Sequence, residues 1–387
     1  MGERDLLMIP GPIELEPSVL SRLAEKQRGH LDPVFMGRFS RTLKRLREVF
    51  QAPSAQPFVI AGTGTLAMEL AAANLVQPGD HALVVNTGYF SDRMALMLER
   101  HGAAVTHVRA TPGAAPSTAE VAAALATRKF QVLTVTHVDT STGVLADVKA
   151  YASLAREHGA LCVVDGVCSI GAEDLQQDAW GVDLALTASQ KALGAPPGLA
   201  VVMAGPRALA AWKARTSPVR SVYLDFGEWL PVHQAYEALT PAYFATPAVN
   251  LISALEVSLE LMLAEGLAAR FARHVRVATA MRAGFEAMGL ASLPQAGVRA
   301  HSLSALYYPA GVDAALVKAV GAQGVTIAGG LHPELKAKYF RVGHMGAVSA
   351  NDVLATVSAV ERSLVAAKVA VAPGAGVSAA ERVLSGG

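Results

Sequence analysis

The chain has 387 residues, carries 33 Lys+Arg against 32 Asp+Glu for a formal net charge of +1, and is 52% hydrophobic. That length and apolar share suit a large core spread over two domains. The near-balance of charge excludes the broad positive field that nucleic acid or an anionic membrane surface would select, so small-molecule ligands are expected.

The opening stretch, MGERDLLMIPGP, mixes charged with apolar residues and lacks the apolar run of a signal peptide. No segment is apolar and long enough to cross a bilayer, and the final ERVLSGG is no peroxisomal address. Cys162 and Cys168 are too few for a secreted disulfide framework, so a cytoplasmic protein is expected.

From about residue 57, short apolar runs (PFVIA, ALVVN, VTHVR, VLTVT, LCVVD, LALT and LAVVM) alternate with helical patterns over 66–76, 91–101, 118–127 and 148–158. Strands of that length separated by amphipathic helices predict an α/β fold with a mostly parallel, seven-stranded sheet. After Pro247 the pattern becomes helical to about residue 269 and again to 288. The strands SLSALYY and YFRVG then flank another helix, which indicates a smaller α+β domain. The boundaries expected are an N-terminal segment at 1–16, a large domain at 17–250, a small domain at 251–368 and a flexible tail at 369–387, rich in Ala, Gly, Val and Ser.

Four segments carry candidate chemistry. In VIAGTGTLAMEL a strand enters a Gly/Thr turn and then a helix, where free N–H groups and the hydroxyls of Thr63 and Thr65 suit a phosphate. The turn matches neither the dinucleotide fingerprint nor a P-loop, and alone it reads more readily as an ordinary turn. In NTGYFSDR, Phe90 opens a helix after a strand and can stack on a planar ring, or simply fill the core. In LCVVDGVCSIG, Asp165 ends a buried strand, and its carboxylate wants a cation such as a protonated pyridine nitrogen; a helix cap is the plainer alternative. In ALTASQKALGAPPG, Lys191 stands just beyond a strand end, where open α/β sheets gather ligands, so its amine can form an imine with a carbonyl cofactor. Taken alone it reads as a solvated surface lysine.

The order PGP, GTGT, NTGYF, HVDTSTGV, VVDGVCS, SQKALGAPPG, YFATP and YFRVGHMG resembles the class V aminotransferases of fold type I, most of all those using alanine or serine with glyoxylate or pyruvate. The resemblance runs from Met8 to about Val365 and implies pyridoxal 5′-phosphate as cofactor, with no metal. It implies that Lys191 is the Schiff-base lysine and Asp165 the pyridinium partner, with Val167 lining the ring. Thr63, Gly64, Thr65 and Gln190 match the phosphate cradle, although glyoxylate-using relatives often carry serine or histidine at the two threonine positions. Phe90 stands where the family places a stacking aromatic, usually tryptophan, and Thr140 matches a hydroxyl near the ring oxygen and the substrate. Tyr243 and Thr246 match residues that reach the neighbouring subunit's cofactor, which implies a homodimer with shared active sites.

Arg341 matches the arginine that grips the substrate carboxylate as a bidentate fork, and Gly11 a backbone position too close to substrate for a side chain. Alone, Arg341 reads as a salt bridge at a strand end. The implied reaction transfers an amino group from alanine or serine to glyoxylate, with Lys191 freed to move the proton at the substrate Cα. Ureidoglycine–glyoxylate, phosphonate and hydroxykynurenine transaminases resemble the same motifs, and fold cannot separate them. A lyase such as a cysteine desulfurase shares the fold but needs a nucleophilic cysteine on a mobile loop, whereas Cys162 and Cys168 flank the buried Asp165 strand.

Overall fold

A computed structural model describes residues 5–386. Runs of five or six apolar residues with few breaks form a seven-stranded sheet from β1 (Gln56–Ala61), β2 (His81–Asn86), β3 (Ala104–Arg109), β4 (Val132–Thr136), β5 (Leu161–Asp165), β6 (Leu184–Ala188) and β7 (Leu199–Ala204). The order across it is β1-β7-β6-β5-β4-β2-β3. Only β7 runs against its neighbours, pairing antiparallel with both β1 and β6. It follows that β1 points the same way as β2 to β6, and six loops leave the sheet at one edge.

Helices cover both faces, which is why the central strands read as continuous apolar runs rather than as alternation. Cys162 and Val164 of β5 pack into one layer with Leu133, Val135 and Ala185. Val163 between them packs into the other with Val132, Leu184 and Leu186. The outermost strand, β3, is the most exposed of the seven.

The helical pattern after Pro247 resolves into two helices, Val249–Glu265 and Leu267–Ala287, separated by Gly266 at φ +83°. The smaller lobe adds a three-stranded antiparallel sheet with Tyr339–Gly343 in the middle, between Leu303–Tyr307 and Ala328–Gly329. Phe285, Phe340, Val342, Val357 and Val360 fill its core. Leu6–Leu7 pairs parallel with Val325–Thr326, and the Met8 carbonyl accepts from Gly343 N–H (2.8 Å). The N-terminal segment is thereby sewn to the small lobe while it crosses towards the large one.

The expected flexible tail at 369–387 is corrected. Ala375–Leu384 forms a helix whose Gly376, Ala379 and Ala380 are buried, packed on the Leu267–Ala287 and Ala350–Ala366 helices. A side chain on Gly284 would come within 3.1 Å of the Gly376 carbonyl, so small residues on both helices permit the approach. Glu361 fastens the turn before the helix, accepting from Gly374 N–H (2.5 Å) and Gly376 N–H (2.7 Å). The Ala/Gly composition that suggested looseness is what close helix packing requires.

Candidate active site

A cavity of about 210 Å³ lies where the six parallel strands open. Ten of the residues singled out from the sequence line it: Gly11, Thr63, Gly64, Thr65, Phe90, Thr140, Asp165, Val167, Gln190 and Lys191. Arg341, Tyr243 and Thr246 do not line it.

Lys191 is held by the turn that follows β6. The Ser189 hydroxyl donates to the Pro196 carbonyl (2.6 Å) and accepts from Leu199 N–H (3.1 Å), closing the SQKALGAPPG loop against β7. This places Lys191 inside the protein, only 8% exposed, with Nζ donating to the Pro10 carbonyl. The solvated-lysine alternative is excluded by that burial. Burial holds its amine below the ordinary lysine value, and the nearby Arg341 pushes the same way. Gly11 permits the contact: at φ +103°, a Cβ there would stand 2.5 Å from Lys191 Cδ.

Asp165 is the last residue of β5, next to β6, and is 3% exposed. Burial pushes its carboxyl up to about 7, although Val167 N–H donates to Oδ1 (2.9 Å). The cap-like bond is therefore present, yet Oδ2 has no protein partner among the described residues. A buried acid in that condition is stabilised as carboxylate only when a cation is brought beside it.

The Gly64–Leu75 helix begins two residues before the expected 66, so its first turn faces the cavity without an acidic residue or a side-chain cap. Its first N–H groups lack intrahelical acceptors and point a partial positive charge at whatever lies beyond. A Cβ on Gly64 would stand 2.8 Å from Val167 Cγ2 and fill this space. Across from it, Gln190 Oε1 is buried with no partner among the described residues.

Phe90 sits on the Tyr89–Arg100 helix, which also starts two residues early. Sequence reasoning missed what pins it. Asp139 is fully buried and accepts from Phe90 N–H (3.1 Å), Ser91 N–H (3.4 Å) and, through Oδ1, from both the N–H (2.9 Å) and hydroxyl (2.6 Å) of Ser141. Burial raises its pKa despite these bonds. The D-x-S spacing in HVDTSTGV, an Asx-turn pattern, was the available signal. Arg93, Met68 and Val138, which also line the cavity, were missed as well.

Arg341 projects from the central strand of the small sheet to donate to the Gly329 carbonyl (2.9 Å) and to the Thr140 carbonyl (3.1 Å). Thr140 lines the cavity, so the guanidinium lies at its border. It has no carboxylate partner among the described residues, which removes the salt-bridge alternative and leaves a half-buried cation for an incoming anion.

A buried amine, a neighbouring buried acid that lacks a cation, an anion-ready helix start and a border guanidinium are suited to an amino acid joined to a pyridine aldehyde phosphate. The family model for class V aminotransferases matches residues 23–351. The chain belongs to that family. It is 39% identical over 362 residues to alanine–glyoxylate aminotransferase 1 of Saccharomyces cerevisiae, covering 90% of this chain and 93% of that one. It is 34% identical to the L-aspartate–glyoxylate aminotransferase of Paracoccus denitrificans, covering 98% and 96%. The crystal structure of ureidoglycine–glyoxylate aminotransferase from Bacillus subtilis superposes with a TM-score of 0.92 at 29% identity, covering 100% and 99%. This aminotransferase thus has the fold type I architecture and uses pyridoxal phosphate. The cavity fits that cofactor: the open helix start, with its free N–H groups, suits its phosphate end, and Asp165 its ring nitrogen.

Proposed function

We propose that this aminotransferase moves the amino group of alanine or serine to glyoxylate, giving glycine and a 2-oxo acid. The observation that carries the proposal is the pairing of Lys191 with Asp165 at adjacent strand ends on one small cavity, with the free cation of Arg341 at its border. Bound pyridoxal phosphate supplies an aldehyde for the amino group and a ring that accepts the electron pair left at Cα.

The chain's own residues divide the remaining work. Thr63, Gly64, Thr65 and Gln190 would hold the phosphate, Phe90 and Val167 would flank the ring, and Thr140 would serve the ring oxygen and the substrate. Asp165 would stand beside the ring nitrogen as a carboxylate and so hold a proton on it. Arg341 would bind the substrate carboxylate and so orient the Cα–H bond towards the Lys191 amine, which would take that proton. Burial lowers the pKa of that amine, which favours the neutral form that can accept a proton. Gly11 keeps the substrate side free of a side chain.

Tyr243 is 63% exposed, and its hydroxyl lies 3.4 Å from that of Thr246. An exposed tyrosine beside a second hydroxyl, away from its own cavity, supports a homodimer in which both reach the partner's cofactor phosphate. A cytoplasmic setting accords with two free, buried cysteines. Burial pushes the Cys162 thiol far above its usual range, which speaks against a desulfurase.

Borohydride treatment of the cofactor-loaded protein followed by peptide mapping tests the central assignment. The pyridoxyl group is expected on Lys191; label on any other lysine overturns it.

A further inference from the structure

The phosphate of pyridoxal phosphate carries close to two negative charges, and the GTGT turn proposed to hold it contains no basic residue. Among the described residues, two cationic side chains line the cavity, Lys191 and Arg93. Lys191 is committed to the aldehyde, and Tyr243 and Thr246 of a partner subunit would add hydroxyls without charge. Arg93 is the cation that remains.

Its surroundings set it apart from a surface arginine. One Nη donates to Thr65 Oγ1 (3.0 Å) and the other to the Tyr89 hydroxyl (3.0 Å), and no carboxylate among the described residues pairs with it. The adjacent Asp92 is turned away, bonded to Arg109 (2.6 Å) and Asn86 (2.8 Å). The guanidinium carbon lies 5.0 Å from the ring centroids of both Tyr89 and Phe90, so two aromatic faces hold the fork in place. A hydroxyl that accepts from a guanidinium directs its own proton elsewhere. Thr65, in the first turn of the Gly64–Leu75 helix, therefore presents a donor to the place where the unpaired N–H groups converge.

We propose that Arg93 is the countercharge of the cofactor phosphate, acting on it directly and through Thr65. This rests on the functional reading above and assigns Arg93 a role that the substrate anchor Arg341 does not share.

The test compares binding of pyridoxal phosphate and of pyridoxal, which lacks the phosphate, to the cofactor-free full-length chain, followed by the cofactor's visible absorbance. Arg93→Met keeps an apolar stem on the two rings, and Arg93→Lys keeps the charge. Circular dichroism and thermal melting of the cofactor-free variants check the fold. Arg93→Met is expected to weaken pyridoxal phosphate by about 10- to 100-fold and pyridoxal by less than about 2-fold, with Arg93→Lys in between for the phosphate form alone. Equal weakening of both ligands would make Arg93 a packing residue and overturn the proposal. So would unchanged cofactor binding with a raised KM for a dicarboxylic donor, which would make Arg93 a receptor for the distal carboxylate. A wild-type chain that captures neither ligand at Lys191 would defeat the functional reading itself.

Discussion

Lys191 and Asp165 share one device: each is an ionisable group buried where water cannot serve it, while Arg341 stands half-buried at the border without a carboxylate partner among the described residues. For Asp165 this has a consequence in the absence of cofactor. Its folded-state pKa is raised from 3.8 to about 7, so the folded chain holds a proton that the unfolded chain has already released. Stability therefore falls as pH rises from about 4 to 7, by several kcal/mol at most from this group. Asp165→Asn is expected to flatten that limb in thermal melts of the cofactor-free protein and to slow transamination by orders of magnitude. A wild-type-minus-variant difference that is the same at pH 4 and pH 7 would contradict the assignment. Lys191→Ala should retain pyridoxal phosphate noncovalently yet lose at least about 10²–10⁴-fold in kcat, since a positioned base contributes that much. Arg341→Lys keeps the charge but loses the planar fork, so the KM of every donor and acceptor should rise together in steady-state assays.

At the scale of elements, the seven strands and the motif loops between them were legible because six strands are largely buried apolar runs, the exposed outer strand still carries β-branched residues, and each loop has its own chemistry. What was not legible depended on where helices begin. Arg93 reads as an ordinary solvated arginine until the Tyr89–Arg100 helix is seen to start early enough to bring it, one turn on from Phe90, over the cavity. Asp139 likewise looks like a turn residue until tertiary packing buries it against the Phe90 turn. The C-terminal helix was misjudged because small residues mark both loose tails and close helix contacts, and only the facing Gly284 distinguishes the two. Val377, Ala380, Val383 and Leu384 join the small-lobe core, so removal of residues 373–387 should cost about 2–5 kcal/mol of stability. None of these residues lines the cavity, so denaturant unfolding should register the loss while the pyridoxal phosphate affinity of the folded protein stays within about 2-fold.

At the scale of the whole molecule, the N-terminal segment, the sheet edge and the small lobe converge on one cavity, and a second copy is proposed to complete it. Mixing inactive Lys191→Ala with a Tyr243→Phe/Thr246→Val variant should restore activity through hybrid dimers in which one site carries neither defect; an active monomer in sedimentation would contradict shared sites. The substrate assignment rests on Arg341 as the one carboxylate anchor at the cavity border among the described residues, with Arg93 proposed to serve the phosphate. An unpaired second carboxylate in so small a cavity would be costly, whereas a small side chain asks only for room. The most direct measurement is kcat/KM for glyoxylate against 2-oxoglutarate with alanine as donor. A clear preference for glyoxylate is expected, and a preference for 2-oxoglutarate would contradict the assignment.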